Sequence, residues 1–256
     1  MDYDKLLTIS SDLGYHLLMS GAEIYRVEES VRYLLGAYGV ASGEVFAIPN
    51  CIIVSLASPD GKPLTRIRRV GGHGTDINKI EALNDLCRRL CREAPDLDSA
   101  AGALRAAAAD RTWFSVPQQL AAYCLGTAAF CLFFGGTWLD AVVSGACGVA
   151  IGACLLFMSR LGTNLFFKTI VGGFVCGLVA TGLMALGLGS HLNLIITGAI
   201  MALAPGLVIT NFMRDIMVGD MISGLSKLAD ALLTGAGIAL GTGLALSLAR
   251  MLGGAV

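Results

Sequence analysis

The chain has 256 residues, of which 55% are hydrophobic and only 14% charged, and its mean hydropathy is +0.71. Soluble domains carry about 25% charged residues, so the composition excludes an ordinary soluble protein and indicates an integral membrane protein. A net charge of −1 leaves no basic footprint for nucleic acid as a partner.

The charges are unevenly placed. Residues 1–116 hold 13 of the 18 Lys and Arg and 15 of the 19 Asp and Glu, leaving 5 and 4 for the rest. This predicts two parts: a cytoplasmic α+β domain over residues 1–115, long enough to bury its own core, and an all-α transmembrane bundle of five helices over residues 116–256. Met1-Asp-Tyr-Asp-Lys5 opens with acids rather than a basic segment, which predicts no signal peptide. The eight cysteines form no CxxC pair and sit largely in apolar runs, so they read as small buried hydrophobes.

From Tyr3 to about Tyr38, Leu6, Ile9, Leu13, Leu17, Ile24, Val31 and Leu34 recur mostly at helical spacing, predicting an amphipathic helix with a break near Gly21. Glu44–Ala57 is rich in Val, Ile and Phe, Pro59-Asp-Gly-Lys62 has turn chemistry, and Leu64–Val70 resumes the strand pattern, so a hairpin is expected. Gly71-Gly-His-Gly74 then loosens the chain. Asn78 with Glu81 resembles a capping box for a helix to about Arg92, and an Ala-rich helix follows at about 97–109.

Beyond it the uncharged intervals set the spans, since a crossing takes about 20 apolar residues. Val116–Leu139 gives the first and Ala141–Ser159 the second. Thr169–Met213 gives two, joined by Gly187-Leu-Gly-Ser-His191, and Ala231–Ala249 the fifth. Arg160, Lys168, Arg214 and Lys227 fall in the loops after spans two and four, which places the amino terminus in the cytoplasm and the carboxyl end outside, with Arg250 dissenting. An odd number of spans suits an inverted-topology repeat with a second such unit. Gly148 with Gly152, Gly173 with Gly177 and Gly237 with Gly241 form small-xxx-small ridges for close helix packing.

The chemistry concentrates between Ala204 and Leu225. Pro205 removes a backbone donor and Gly206 relaxes the chain, freeing polar backbone groups at a depth that only a solute cavity tolerates. On a helix Asn211, Arg214 and Asp215 fall within an arc of about 100°. A guanidinium there can hold a carboxylate, while Asp215 neutralises it or takes an ammonium. With Ser223 these are the candidate substrate-binding residues. Asp220 is the candidate proton carrier, and Asp230 a second one, although Lys227 three residues earlier suits a local ion pair. The same charges also read as a solvated cytoplasmic loop with Arg214 obeying the positive-inside rule. Lys168 and Asp140, near span ends, read as structural.

In the front domain Glu23, Arg26 and Glu28 gather on the first long helix, where Arg66, Arg68 and Arg69 of the second strand could face them. They read either as a regulatory or vestibule site or as a salt-bridged surface. Gly71-Gly-His-Gly-Thr-Asp76 lacks the lysine of a phosphate loop. His16, His73 and His191 are scattered, so neither a metal, a cofactor nor a catalytic set is expected.

The helix Ser20-Gly-Ala-Glu-Ile-Tyr-Arg-Val-Glu-Glu29, the strand Thr65-Arg-Ile-Arg-Arg-Val70 and the series Pro205, Gly206, Asn211, Arg214, Asp215, Gly219, Asp220, Ser223, Gly224 resemble the threonine/serine exporter family, specifically its amino-terminal half. The resemblance covers nearly the whole chain, and the order and spacing over 205–224 are its specific part. Members are fused to a second five-span half or split from a short partner subunit, and this chain is similar to the larger subunit of the split type. The resemblance implies export across the inner membrane of a small polar metabolite, with a short second subunit or a homo-oligomer as partner. Similar two-subunit systems are assigned to succinate, so hydroxy amino acids and dicarboxylates both stay open. With no nucleotide motif, proton motive force is the expected drive. A membrane pore or scaffold with a cytoplasmic interaction domain is the competing class.

Overall fold

The structure, a computed structural model, describes residues 1–40, 42–72, 74–110 and 114–253. The chain forms two compact units, one of Met1–Thr112 with Asn211–Lys227, the other of Trp113–Thr210 with Leu228–Val256.

The first unit begins with α1 (Tyr3–Met19), capped by the Asp2 carboxylate, which accepts from the Lys5 N–H at 3.0 Å. It stops at the break expected near Gly21, although the apolar periodicity itself continues to about Tyr38. Gly21 takes φ +82°, the Gly21 N–H bonds the Leu18 carbonyl and the Ala22 N–H bonds the Leu17 carbonyl, which satisfies the last turn in a left-handed glycine stop. A Cβ at Gly21 would also lie 2.5 Å from the Gly74 carbonyl oxygen, so only glycine fits. Then α2 (Ile24–Ala37) runs back, burying Ile24, Val27, Val31, Leu34 and Leu35 against α1.

Glu44–Ala57 is two strands rather than the single one expected. β1 (Glu44–Ile48) and β2 (Cys51–Ala57) pair antiparallel with Ile48 opposite Cys51, so Pro49 and Asn50 make the turn. A proline followed by asparagine suits a turn better than a strand interior, and it outweighs the β-branched run around it. β3 (Pro63–Arg69) pairs with β2, giving a three-stranded meander in the order β1-β2-β3. Ile52, Val54 and Leu56 of β2 point into the core shared with α1 and α2.

Arg66 and Arg68 turn to α1 rather than to Glu23 of α2. Arg66 reaches Asp4 at 3.3 Å and Thr8, while Arg68 pairs with Asp12 and lies 5.1 Å above the Tyr15 ring. The next helix, α3 (Ile77–Glu93), is capped by Asp76, which accepts from the Lys79 N–H at 3.0 Å; Asn78, the expected cap, is already inside the first turn. α4 (Leu97–Ala109) follows with Asp96 as its cap, at the bounds expected. His73 lies outside the described residues.

The second unit holds α5 (Val116–Phe133), α6 (Trp138–Arg160), α7 (Leu165–Ala185) and α8 (Leu192–Ile200). Two further helices, α9 (Gly206–Val218) and α10 (Met221–Met251), run through both units. Among the described residues four helices are long and apolar enough to cross a membrane: α5, α6, α7 and α10. The expected fourth span is interrupted, with 9 residues in α8 and 13 in α9 on either side of a break at Ala204-Pro205. Proline has no N–H for a continuous helical ladder, and the residue before it is pushed out of helical geometry. The last helix begins at Met221 rather than Ala231, directly after the stop at Gly219, and so takes in Lys227 and Asp230 ahead of the uncharged interval.

The glycine ridges act as contact surfaces in this unit. A Cβ at Gly173 would lie 2.8 Å from the Ile238 carbonyl oxygen, and one at Gly241 would overlap that of Ile170, so α7 and α10 approach backbone to backbone. On α6 a Cβ at Gly148 would meet the Tyr123 carbonyl oxygen and the Thr127 side chain of α5, and one at Gly152 the Tyr123 ring; beside them Thr127 and Ser144 exchange hydroxyl-to-carbonyl bonds of 2.9 and 3.0 Å. Large apolar side chains such as Leu125, Phe133, Val142 and Phe157 point outward. That inverts the soluble pattern and suits hydrocarbon as the surrounding solvent.

Candidate functional site

In the first unit the segment Asn211–Lys227 is a tight helical hairpin. α9 ends at Gly219 with φ +99°, the Asp220 N–H bonds the Asp215 carbonyl at 2.9 Å and the Gly219 N–H bonds the Ile216 carbonyl at 3.1 Å. This is the glycine stop of Gly21 repeated, and α10 starts at once, with the Gly224 N–H on the Asp220 carbonyl at 2.9 Å. Gly224 lets the arms close, since a Cβ there would sit 2.5 Å from the Ile216 side chain.

Across this hairpin the Lys227 ammonium donates to the Asp215 carboxylate at 2.7 Å, with side-chain exposures of 12% and 1%. Removing one member of such a buried pair strands the other charge and costs about 3–5 kcal/mol. The sequence suggested Asp230 as the partner of Lys227. Opposite charges flanking a Gly-Asp turn were the available signal for Asp215, legible only once Gly219 is recognised as a helix stop.

Arg214, next to Asp215 on α9, takes a different partner. Its guanidinium pairs with the Glu23 carboxylate, which also meets Arg26 at 2.8 Å. Glu23 is the residue at which α2 begins, so the stop at Gly21 aims it there. One turn on, Glu28 accepts from the Ala47 N–H at 2.9 Å and from Arg32 at 2.7 Å. Burial raises the Glu28 pKa above the ordinary 4.5; the Ala47 N–H and Arg32 lower it, and the negative charge of Asp220 raises it further. The structure thus brings together the elbow at 20–29 and the hairpin at 211–224, the two motifs singled out in the sequence.

Other expected residues are placed separately. Arg214 and Asp215 are matched to Glu23 and Lys227 respectively rather than to each other. Asn211 is half-buried on α9, and Ser223 is buried on α10. Pro205, Gly206 and Asp230 belong to the second unit.

The second unit contains a polar centre that sequence reading treated as an interfacial acid. Asp140 is fully buried at the start of α6. Its Oδ2 accepts from the Thr137 N–H (3.0 Å), the Thr137 hydroxyl (2.8 Å) and His191 Nδ1 (2.9 Å), and its Oδ1 accepts from the N–H groups of Ser190 (2.6 Å) and His191 (3.1 Å). Thr137-x-x-Asp140 is a capping box, and that pattern was the missed signal. With its acceptor positions occupied, Asp140 pins the turn before α8 to the start of α6. Lys168 bonds Ser159 at 3.1 Å across the α6–α7 connection.

Residues 8–249 match the ThrE family, described as "Putative threonine/serine exporter". The chain belongs to the threonine/serine exporter family. It is 29% identical over 239 residues to the "Probable threonine/serine exporter" of Mycobacterium tuberculosis, covering 91% of this chain and 44% of that protein. It is 24% identical over 253 residues to the "Threonine/serine exporter" of Corynebacterium glutamicum, covering 96% and 52%. To "Pheromone-regulated membrane protein 10" of Pichia sorbitophila it is 24% identical over 226 residues, covering 85% and 22%. The chain therefore spans about half the length, or less, of these relatives. No solved structure matches. This is a family of multi-pass membrane transporters, not of enzymes.

Proposed function

We propose that the chain is a subunit of a secondary exporter that moves threonine and serine out of the cell, with residues 1–115 on the cytoplasmic side. The observation that carries this reading is the Glu23–Arg214 pair beside Asp215–Lys227. A free amino acid is a zwitterion. Its carboxylate can take Arg214 from Glu23, and its ammonium can take the carboxylate so released, so each charge that loses a partner gains one. A dicarboxylate brings no ammonium to replace Arg214 and leaves Glu23 with Arg26 alone, which favours hydroxy amino acids over succinate. Asn211 and Ser223 supply neutral groups for a substrate hydroxyl, and Pro205 with Gly206 supplies the break about which helices rock in alternating access.

Asp220, whose charge acts on Glu28, and Asp230 are the proposed proton-coupling carboxylates. The matched relatives are about twice this length or longer, which supports a second membrane unit as partner, whether a short subunit of the family or another copy of this chain. Proteoliposomes containing the chain and that unit should show saturable threonine counterflow that follows an imposed pH gradient. Arg214→Ala should abolish it while assembly persists. Transport unchanged in that variant would remove the site assignment, faster counterflow of succinate would reverse the substrate class, and unsaturable conductance would indicate a pore.

A further inference from the structure

Between α2 and α3 the first unit has an open groove of about 910 Å³ that the transport reading does not use. Four arginines line it, Arg26 and Arg32 from α2 and Arg88 and Arg92 from α3, together with Tyr25 and Tyr33. A single carboxylate faces them among the described lining residues, Glu29, which accepts from the Tyr33 hydroxyl at 3.1 Å. Arg88 and Arg92 stand one helical turn apart, exposed, and meet no carboxylate within ion-pair distance among the described residues. Gly36 leaves one end open, since a Cβ there would touch nothing within 4 Å. Arg26 and Arg32 have carboxylate partners in Glu23 and Glu28, so the uncompensated positive charge is that of Arg88 and Arg92, which water tolerates and a polyanion relieves.

We propose that this groove binds a soluble phosphoryl-bearing polyanion that also carries a flat ring, of the nucleoside di- or triphosphate class. The volume falls within the range of about 300–1,000 Å³ typical of small-molecule sites. Guanidinium forks suit phosphoryl oxygens, and the tyrosine faces suit a base. The inner arginines make the groove consequential: Arg26 also pairs with Glu23, the partner of Arg214, and Arg32 with Glu28, on which Asp220 acts. An anion that draws Arg26 to itself leaves Glu23 to Arg214 alone and tightens that pair, so occupancy of the groove changes the hairpin. Binding does not depend on the transport reading.

Titrating the full chain in phosphatidylcholine nanodiscs with ATP tests this. Saturable binding that weakens with salt is expected, with inorganic tripolyphosphate competing and adenosine failing to compete. Arg88→Ser with Arg92→Ser should weaken ATP by at least about tenfold. Gly36→Leu should weaken it with every arginine intact, and Arg105→Ser should not. Because Arg88, Arg92 and Gly36 are exposed, these variants keep the fold. ATP binding that is absent, or equal in the double variant, would overturn the site. Displacement of ATP by phosphatidylglycerol in the nanodisc would assign the arginines to a lipid headgroup and overturn the soluble ligand. ATP should also alter amide hydrogen exchange over 211–224, and not in Arg26→Gln. Unaltered exchange in the unsubstituted chain would overturn the link to the hairpin.

Discussion

Arg214 on α9 and Glu23 at the start of α2 form an ion pair, which joins the elbow of the front domain to the helical hairpin of the membrane half of the sequence. Reversing both charges is therefore informative. Glu23→Arg and Arg214→Glu should each lose threonine transport, the first by leaving three cations together with Arg26. The double reversal should recover folding, read as the thermal midpoint in detergent, without recovering transport, because the substrate carboxylate then meets the wrong sign.

The pair Asp215–Lys227 is more deeply enclosed, so its loss is first a stability effect. Lys227→Met and Asp215→Asn should each destabilise the chain by about 3–5 kcal/mol, and the double variant by much less, since no buried charge is then stranded. Thermal unfolding of the four proteins measures the coupling. Additive losses would mean that water already screens the pair.

The two glycine stops differ in a testable way. Both have positive φ, but a Cβ at Gly219 meets open space whereas one at Gly21 meets the Gly74 carbonyl oxygen. Gly219→Ala should cost about 1 kcal/mol, the left-handed penalty alone. Gly21→Ala should cost more, because the loop that also bonds Met19 and Ser20 through the N–H groups of Gly74 and Asp76 must move. Gly219→Asn should be tolerated.

His16 supplies a pH signature. Burial holds its pKa below the ordinary 6.5, aided by Lys79 and Arg68 and opposed by Asp12. Between that lowered value and 6.5 the unfolded chain binds more protons than the folded one, so stability rises with pH through this window and is lost on acidification. The thermal midpoint should rise as pH increases toward 6.5 and level off above it, and His16→Gln should reduce that rise.

Much of this architecture is legible in the amino-acid order, and the reasons are local. The glycine at 21, the proline at 205 and the bounds of α4 are signalled within a few residues, by backbone freedom, a missing N–H and a cap. The turn at Pro49-Asn50 is masked in the sequence by the β-branched residues on either side of it, and the cap of α3 is ambiguous there because Asp76 and Asn78 are both competent. The pairings Glu23–Arg214, Asp215–Lys227 and Asp140–His191 depend on tertiary folding, and no periodicity reports them. For the candidate site, the sequence shows where the charged residues cluster, but not which partner each of them takes.

In the proposed cycle Arg214 exchanges Glu23 for a substrate carboxylate. Threonine counterflow in proteoliposomes containing Arg214→Lys, which keeps the charge and loses the two-pronged geometry, tests it most directly. A KM raised by about tenfold or more with folding retained is expected, whereas an unaltered KM would mean that Arg214 does not hold the substrate.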